Sequence, residues 1–311
     1  MRRTLILGGL ALAIALPAVS TAAATAASGP EVISLPRGFF PEGITAADRH
    51  SAFVGSLGNG AILRVDLKTG EQKTLVAGEP GKVAVGIERD RWNRVWVAGG
   101  PDGTVRVYDG ATGELAFEPL RLGEGYINDM VITREGAWIT NSFKAEIHHV
   151  PLASDGRVGE PRVVPLGGDW AQVGEAGTFN ANGVVATPDG RLIVAQSHAV
   201  SPDSYRSKLH LVNPETGVTE EIALDHEVTT ADGLVLKGRT LYVVQPALNS
   251  IAAVKLADDF RSGTLRKTIT DEDFRIPTSA ESVGPSLWAV NTRFDVPTGP
   301  DVEYEIVSVK R

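Results

Sequence analysis

Cysteine is missing from all 311 residues. That excludes disulfides and a lipid-bearing N-terminal cysteine alike. Helical periodicity is nearly absent as well, and 34 Gly and 18 Pro recur too often for long helices. No Gly-rich phosphate loop stands next to a helix, and no Ser sits in a nucleophile elbow. These absences point away from an organic cofactor. Positive charge is in short supply, with 30 Lys and Arg against 38 Asp and Glu. An acidic chain of this kind is not built for nucleic acid or an anionic membrane surface.

One long apolar run exists, and it lies at the beginning. Arg2 and Arg3 are followed by the apolar stretch Leu5 to Val19 and by small residues from Thr21 to Ala27. This is the layout of a secretory signal over residues 1–28, with cleavage near Ala27. The run is interrupted by Gly8, Gly9 and Pro17 and is short for a bilayer. The expectation is a secreted, extracellular bacterial protein with no stable membrane insertion after cleavage, exported by the general or the twin-arginine route. Arg2 and Arg3 are the only charged residues in that segment, so its removal takes the formal net charge from −8 to −10.

Residues 29–311 carry a repeat. Six triplets recur in order: Glu42-Gly43-Ile44, Val85-Gly86-Ile87, Asn128-Asp129-Met130, Asn182-Gly183-Val184, Asp232-Gly233-Leu234 and Thr278-Ser279-Ala280. Their middle residues are separated by 43, 43, 54, 50 and 46 positions. Each interval holds several strand-like runs joined by turn signals such as Asp66 to Gly70, Asp109 to Gly113 and Asn213 to Gly217. Four antiparallel strands in roughly 45 residues make a propeller blade, and the expected fold is one all-β domain, a six-bladed β-propeller. The last repeat is one strand short, while Glu31 to Leu35 is strand-like and has no repeat of its own. This N-terminal strand is expected to complete the last blade and close the ring.

In a propeller the first strand of each blade lines the central channel. The side chains that open the six triplets should therefore meet near one point. Four of them, Glu42, Asn128, Asn182 and Asp232, offer oxygen. Asn-Gly and Asp-Gly are turn dipeptides in their own right, but turn chemistry does not require four oxygen-bearing residues in one register. Buried carboxylates need partners, and a cation would serve all four residues at once. Hard donors with no His or Cys favour calcium, with Mg²⁺, Mn²⁺ or Zn²⁺ as alternatives.

With these motifs the chain resembles the six-bladed propellers of the senescence marker protein, gluconolactonase and luciferin-regenerating enzyme group. Diisopropylfluorophosphatase and the paraoxonases are more distant relatives of that group. The resemblance matches Glu42-Gly43, Asn128-Asp129, Asn182-Gly183 and Asp232-Gly233 to motifs of the first, third, fourth and fifth blades. It implies metal ligation by Glu42, Asn182 and Asp232, with Asn128 on metal or substrate. The implied activity is metal-dependent hydrolysis of a small-molecule lactone or ester, with phosphotriesters as a side activity. The paraoxonase His before the second anchor is replaced here by Val85.

Asp232 is expected to activate water or attack directly, while Asn128 orients the substrate. His198, Arg293, Trp170 and Asn141 are expected at the substrate rim. His148 and His149 are adjacent in a strand, point to opposite faces and read as structural. Trp96, Trp138, Tyr242 and Trp288 read as packing between blades. The protein is expected to act as a monomer. The alternative is a non-catalytic propeller with a structural cation, binding a glycan, peptide or protein on the same face.

Overall fold

Six sheets stand around a central channel in the computed structural model, which describes residues 30–175, 177–201 and 204–311. They are antiparallel apart from two-residue parallel additions at Gly167–Gly168 in blade four and Ala223–Leu224 in blade five. The leader-like segment read over residues 1–28 lies outside these residues. The innermost strands of the six blades are Pro41–Ala46, Ile87–Arg89, Ile127–Ile132, Ala181–Ala186, Leu234–Lys237 and Pro277–Val283. Each begins at one end of the channel, called the upper end below. The only helical element among the described residues is the short 3₁₀ turn Pro246–Leu248.

The ring closes as the sequence predicts. Blade six runs Pro277–Val283, Ser286–Asn291, Glu305–Lys310, and its outermost strand is Val32–Ser34 from the other end of the chain. Val32 faces Val307 and Ile33 faces Ile306 in the antiparallel register. Backbone bonds from Leu35 N to Tyr304 O and from Ser308 N to Glu31 O lengthen the seam. No blade is left with a missing edge.

The third-to-fourth strand turns share one mechanism. Asp66, Asp109 and Asn213 each accept two backbone N–H bonds, for example Lys68 N and Thr69 N on Asp66 at 2.8 Å. Each turn ends in a glycine with a left-handed backbone: Gly70 at φ 76°, Gly113 at 77° and Gly217 at 72°. Between the blades, the second-strand aromatics Trp96, Trp138, Tyr242 and Trp288 are all buried. His149 lies flat on Trp138 at 3.9 Å between ring centres, and His148 is buried beside Glu146. Both histidines are part of the packing.

Candidate active site at the upper end of the channel

A repeated irregularity aims the anchor residues. In blades one, three, four and six the pairing of first and second strands slips at the anchor, between Pro41 and Ile44, Ile127 and Met130, Ala181 and Val184, and Pro277 and Ser279. A bulge of this kind re-aims the side chains it carries. In blades two and five regular pairing starts after the anchors, which are tied by Val85 N to Ala98 O and Asp232 N to Val244 O, both 3.0 Å.

The glycine after the anchor is required by the neighbouring blade. A Cβ on Gly43, Gly86, Gly183 or Gly233 would come within 3.0 Å of the carbonyl oxygen of Val85, Asn128, Asp232 or Thr278 respectively. Each of those carbonyls belongs to the next anchor, so the innermost turns of the ring touch backbone to backbone. In the third blade this position holds Asp129, whose carboxylate accepts Met130 N at 2.8 Å and Val184 N of the next blade at 3.2 Å.

Glu42, Asn128, Asn182 and Asp232 line one cavity of about 400 Å³ at this end. The two amides have a fixed orientation. Ser142 Oγ donates to Ala181 O at 2.6 Å and Ser197 Oγ donates to Ala231 O at 2.7 Å, so each hydroxyl has only lone pairs left to offer. Asn128 Nδ2 and Asn182 Nδ2 donate to those hydroxyls at 2.8 and 3.1 Å. The amide oxygens are thereby turned away from the serines. Glu42 is buried, and its Oε2 has no hydrogen-bond partner.

Burial and mutual repulsion raise the carboxyls around this cavity. Burial pushes the Glu42 carboxyl well above its usual range, and Asp232 and Asp129 add to the effect. Asp232 is raised to about 8 by burial and by Asp129, partly offset by a hydrogen bond from Asn182. Asp129 is raised to about 6, mainly by burial. Asp129 and Asp232 are half-buried by accessible surface. Among the described residues the cavity wall holds no Lys or Arg. Nor do three or more His, Cys, Asp or Glu side chains converge there as a metal-binding group. The donor set is two carboxylates and two amides. It suits a hard divalent cation, with water completing the shell.

The four rim residues take different places. His198 lines the cavity, and its Nδ1 donates to Phe179 O at 2.9 Å, which leaves Nε2 as the free nitrogen. Arg293 is held by Asp295 at 3.0 Å, and the cavity is lined by its neighbour Phe294. Trp170 is buried against His210, with Nε1 donating to Gln172. Asn141 is fully buried, and its Oδ1 accepts Tyr126 N and Phe143 N at 3.0 and 3.2 Å. It clamps the loop that carries Tyr126 and has no face on the cavity.

Tyr126, Ser142, Ser197 and Asp129 were not singled out as site residues from sequence. A signal was present for the serines. Second strands end in Asn141-Ser142, Gln196-Ser197 and Asn291-Thr292, an amide followed by a hydroxyl. In blade six Thr278 and Thr292 bond to each other at 2.5 Å, so that anchor offers no ligand.

A second cavity, about 330 Å³, lies below the ring of glycines and is lined in part by Glu88, Asp129, Glu281 and Lys237. Thr45 Oγ1 donates to Glu88 at 3.1 Å and Ser282 N to Glu281 at 2.5 Å. Burial, with Glu281 close by, lifts Glu88 to about 8, and burial also raises Glu281.

No family model matches this chain, and no curated protein matches it. Solved structures do. The major allergen Mala s 1 of Malassezia sympodialis superimposes with a TM-score of 0.62 at 13% identity, over 90% of this chain and 96% of that one. Virginiamycin B lyase from Staphylococcus aureus gives 0.55 at 12%, over 90% and 88%. The PQQ-bound aldose sugar dehydrogenase of Streptomyces coelicolor gives 0.52 at 14%, over 91% and 100%.

Proposed function

At such low identity these likenesses support the six-bladed propeller fold and go no further; we propose, from the cavity itself, that the protein is a hydrolase of lactones or related esters. In this reading Glu42, Asn128, Asn182 and Asp232 hold one divalent cation, calcium first. The observation that carries it is the unpartnered buried Glu42 Oε2, set beside two amides whose oxygens the serines turn outward. The senescence marker protein and gluconolactonase resemblance of the four motifs supports the finer reading.

When bound, the cation would polarise the carbonyl and stabilise negative charge on its oxygen. Asp232 is the carboxylate that would both ligate the cation and reach a substrate above it, so it is the group to take a proton from water or to attack the carbonyl carbon itself. Asn128, locked by Ser142, orients the substrate. The proton that Asp232 takes from water can then be passed to the leaving oxygen, while His198 Nε2, whose Nδ1–H is spent on Phe179 O, faces the cavity as an acceptor, and Tyr126 and Phe179 shield the floor from bulk water. The signal-like leader supports an exported protein.

The test is a lactone and ester panel run on metal-stripped protein, then on protein reconstituted with Ca²⁺, Mg²⁺, Mn²⁺ or Zn²⁺. Turnover restored by one cation is expected. If no metal gives turnover while cation binding persists, the protein is a binding propeller instead.

A further inference from the structure

The floor of the upper cavity says what kind of reaction fits, and its walls say what else the ligand carries. Beside the oxygen donors the lining is Leu57, Val85, Tyr126, Phe179, Pro246 and Phe294, with Ser197, His198 and Thr230 as its other polar members. Eight large hydrophobic side chains lie exposed among the described residues, and five of them, Phe179, Val200, Tyr205, Leu248 and Phe294, belong to loops at this end. The other three, Leu115, Val163 and Val218, are scattered over the outer edges. Of the five, Phe179 and Phe294 line this cavity, whereas Val200 lines a separate one with Arg206 and Glu227.

These rings are held rather than loose. Phe179 meets Tyr126 edge-on at 4.9 Å and Phe143 at 5.0 Å. Its carbonyl is taken by His198, and the next residue, Asn180, is clamped by Val173 N and Gln196 Nε2. Phe294 meets Phe40 edge-on at 5.7 Å. Its position is set by Arg293, which has a left-handed backbone at φ 60° and is tied to Asp295. Two exposed phenylalanines fixed over an oxygen-rich floor make a pocket that is polar at its base and apolar toward its mouth. Beyond the floor a polyhydroxylated ring would find only His198, Thr230 and Ser197 as polar side chains, and its other hydroxyls would lie against Leu57, Val85 and Pro246 without partners, which is costly. A hydrocarbon or aryl group would gain by covering them.

We propose that the ligand is a lactone or ester bearing an apolar arm, its carbonyl at the Glu42–Asp232 floor and its arm on the Phe179 and Phe294 walls, and that sugar lactones are poor substrates. The assignment rests on the hydrolase reading above. It is tested on the cation-loaded protein with γ-lactones of increasing alkyl chain length and with glucono-δ-lactone. Binding of the matching γ-lactams, which resist hydrolysis, is followed by calorimetry.

The expected result is a kcat/KM that rises about three- to four-fold per methylene until the pocket is filled, with lactam affinity rising in parallel. Phe179→Ser and Phe294→Ser sit at exposed positions and should fold. Each should reduce the long-chain to short-chain ratio about ten-fold, while Val163→Ser on an outer strand leaves that ratio unchanged. A chain-length gradient in lactam binding with no hydrolysis of any lactone supports the apolar-arm assignment and removes the hydrolase. Hydrolysis that favours glucono-δ-lactone, or a gradient untouched by both Phe variants, overturns the assignment and leaves the hydrolase standing. Binding to phosphatidylcholine vesicles with no chain-length gradient would identify the rim as a lipid-facing surface and also overturn it.

Discussion

At the lower end of the channel, each acid is held by the protein: Glu88 by the Thr45 hydroxyl, Glu281 by Ser282 N, and Asp129 by two backbone N–H groups from adjacent blades. At the upper end Glu42 Oε2 has no partner, and two amides are tied back so that their oxygens are free. Both ends are acidic and enclosed, with carboxyls raised above their usual range. The difference lies in where the hydrogen bonds go. A carboxylate supplied with donors is satisfied where it stands. One left bare among oriented oxygens lacks a partner within the protein's described residues. Charge separates them as well, since Lys237 lines the lower cavity and, among the described residues, no Lys or Arg lines the upper one.

The largest expected effect tests whether the upper end performs chemistry. Asp232→Asn keeps an oxygen donor and nearly the same volume, so cation binding should survive in weakened form. Turnover should fall by about 10² to 10⁴, the usual worth of a positioned general base. Wild-type turnover in that variant would reduce Asp232 to a ligand. The matched change at the lower end, Glu88→Gln, should leave kcat within about two-fold.

Next comes cation affinity. Glu42→Gln removes a charge from the bare site and should weaken Ca²⁺ binding by about 10- to 100-fold, the range of one charge-assisted bond. Activity should return when the metal concentration is raised. Calorimetric titration of Glu88→Gln alongside it should give the wild-type constant, and equal losses from both variants would erase the distinction drawn here. Wild-type protein should melt higher with excess Ca²⁺ than with chelator, because a ligand of the native state alone stabilises that state.

The metal-stripped protein should also respond to pH. Glu88 has a folded value of about 8 against an ordinary 4.5, and Asp232 about 8 against 3.8. A group raised by folding binds its proton more tightly in the native state. Its contribution is complete below the unfolded value and is lost as pH rises through the folded one. Thermal melts in chelator should therefore drop by about 5 °C or more between pH 5 and pH 9. Glu88→Gln should shallow that slope, and a melting temperature that rises over the interval would contradict the burial argument.

The smallest effect concerns the two serines. Ser142→Ala and Ser197→Ala free an amide without removing any ligand atom. Each should cost about three- to ten-fold in Ca²⁺ affinity, in line with one neutral hydrogen bond. No change in either titration would mean that the amides are oriented by packing alone.

The fold was legible because its constraints are local and repeated. The turns at Asp66, Asp109 and Asn213 follow from side chains bonding two or three residues ahead. The glycine after four of the six anchors marks a backbone contact that leaves no room for a Cβ. The missing last strand was visible in the same counting. The residues of the upper floor were legible for a related reason, since register in a repeat becomes position around an axis.

What escaped depends on groups far apart in sequence. Phe294 replaces Arg293 on the cavity wall because the left-handed turn at Arg293 changes which side chain points inward. Asn141 looked like a rim amide, yet it is spent on the backbone of Tyr126 and Phe143. Ser142 matters through a carbonyl of the next blade, Ala181, and the acids Glu88 and Glu281 meet only once the ring is closed.

Closure itself has a temporal consequence. Blade six joins Val32–Ser34 to Glu305–Lys310, so the first strand of the domain waits without a sheet while five blades are made. Contacts between such distant segments are slow to form, because the loop entropy is spent before the pairing compensates it. Until then the row of blades is an open array with two unprotected edges, and the four donors of the upper floor do not face one another. A polypeptide emerging in order can complete each blade as it appears, but the cavity comes into existence in a single late event.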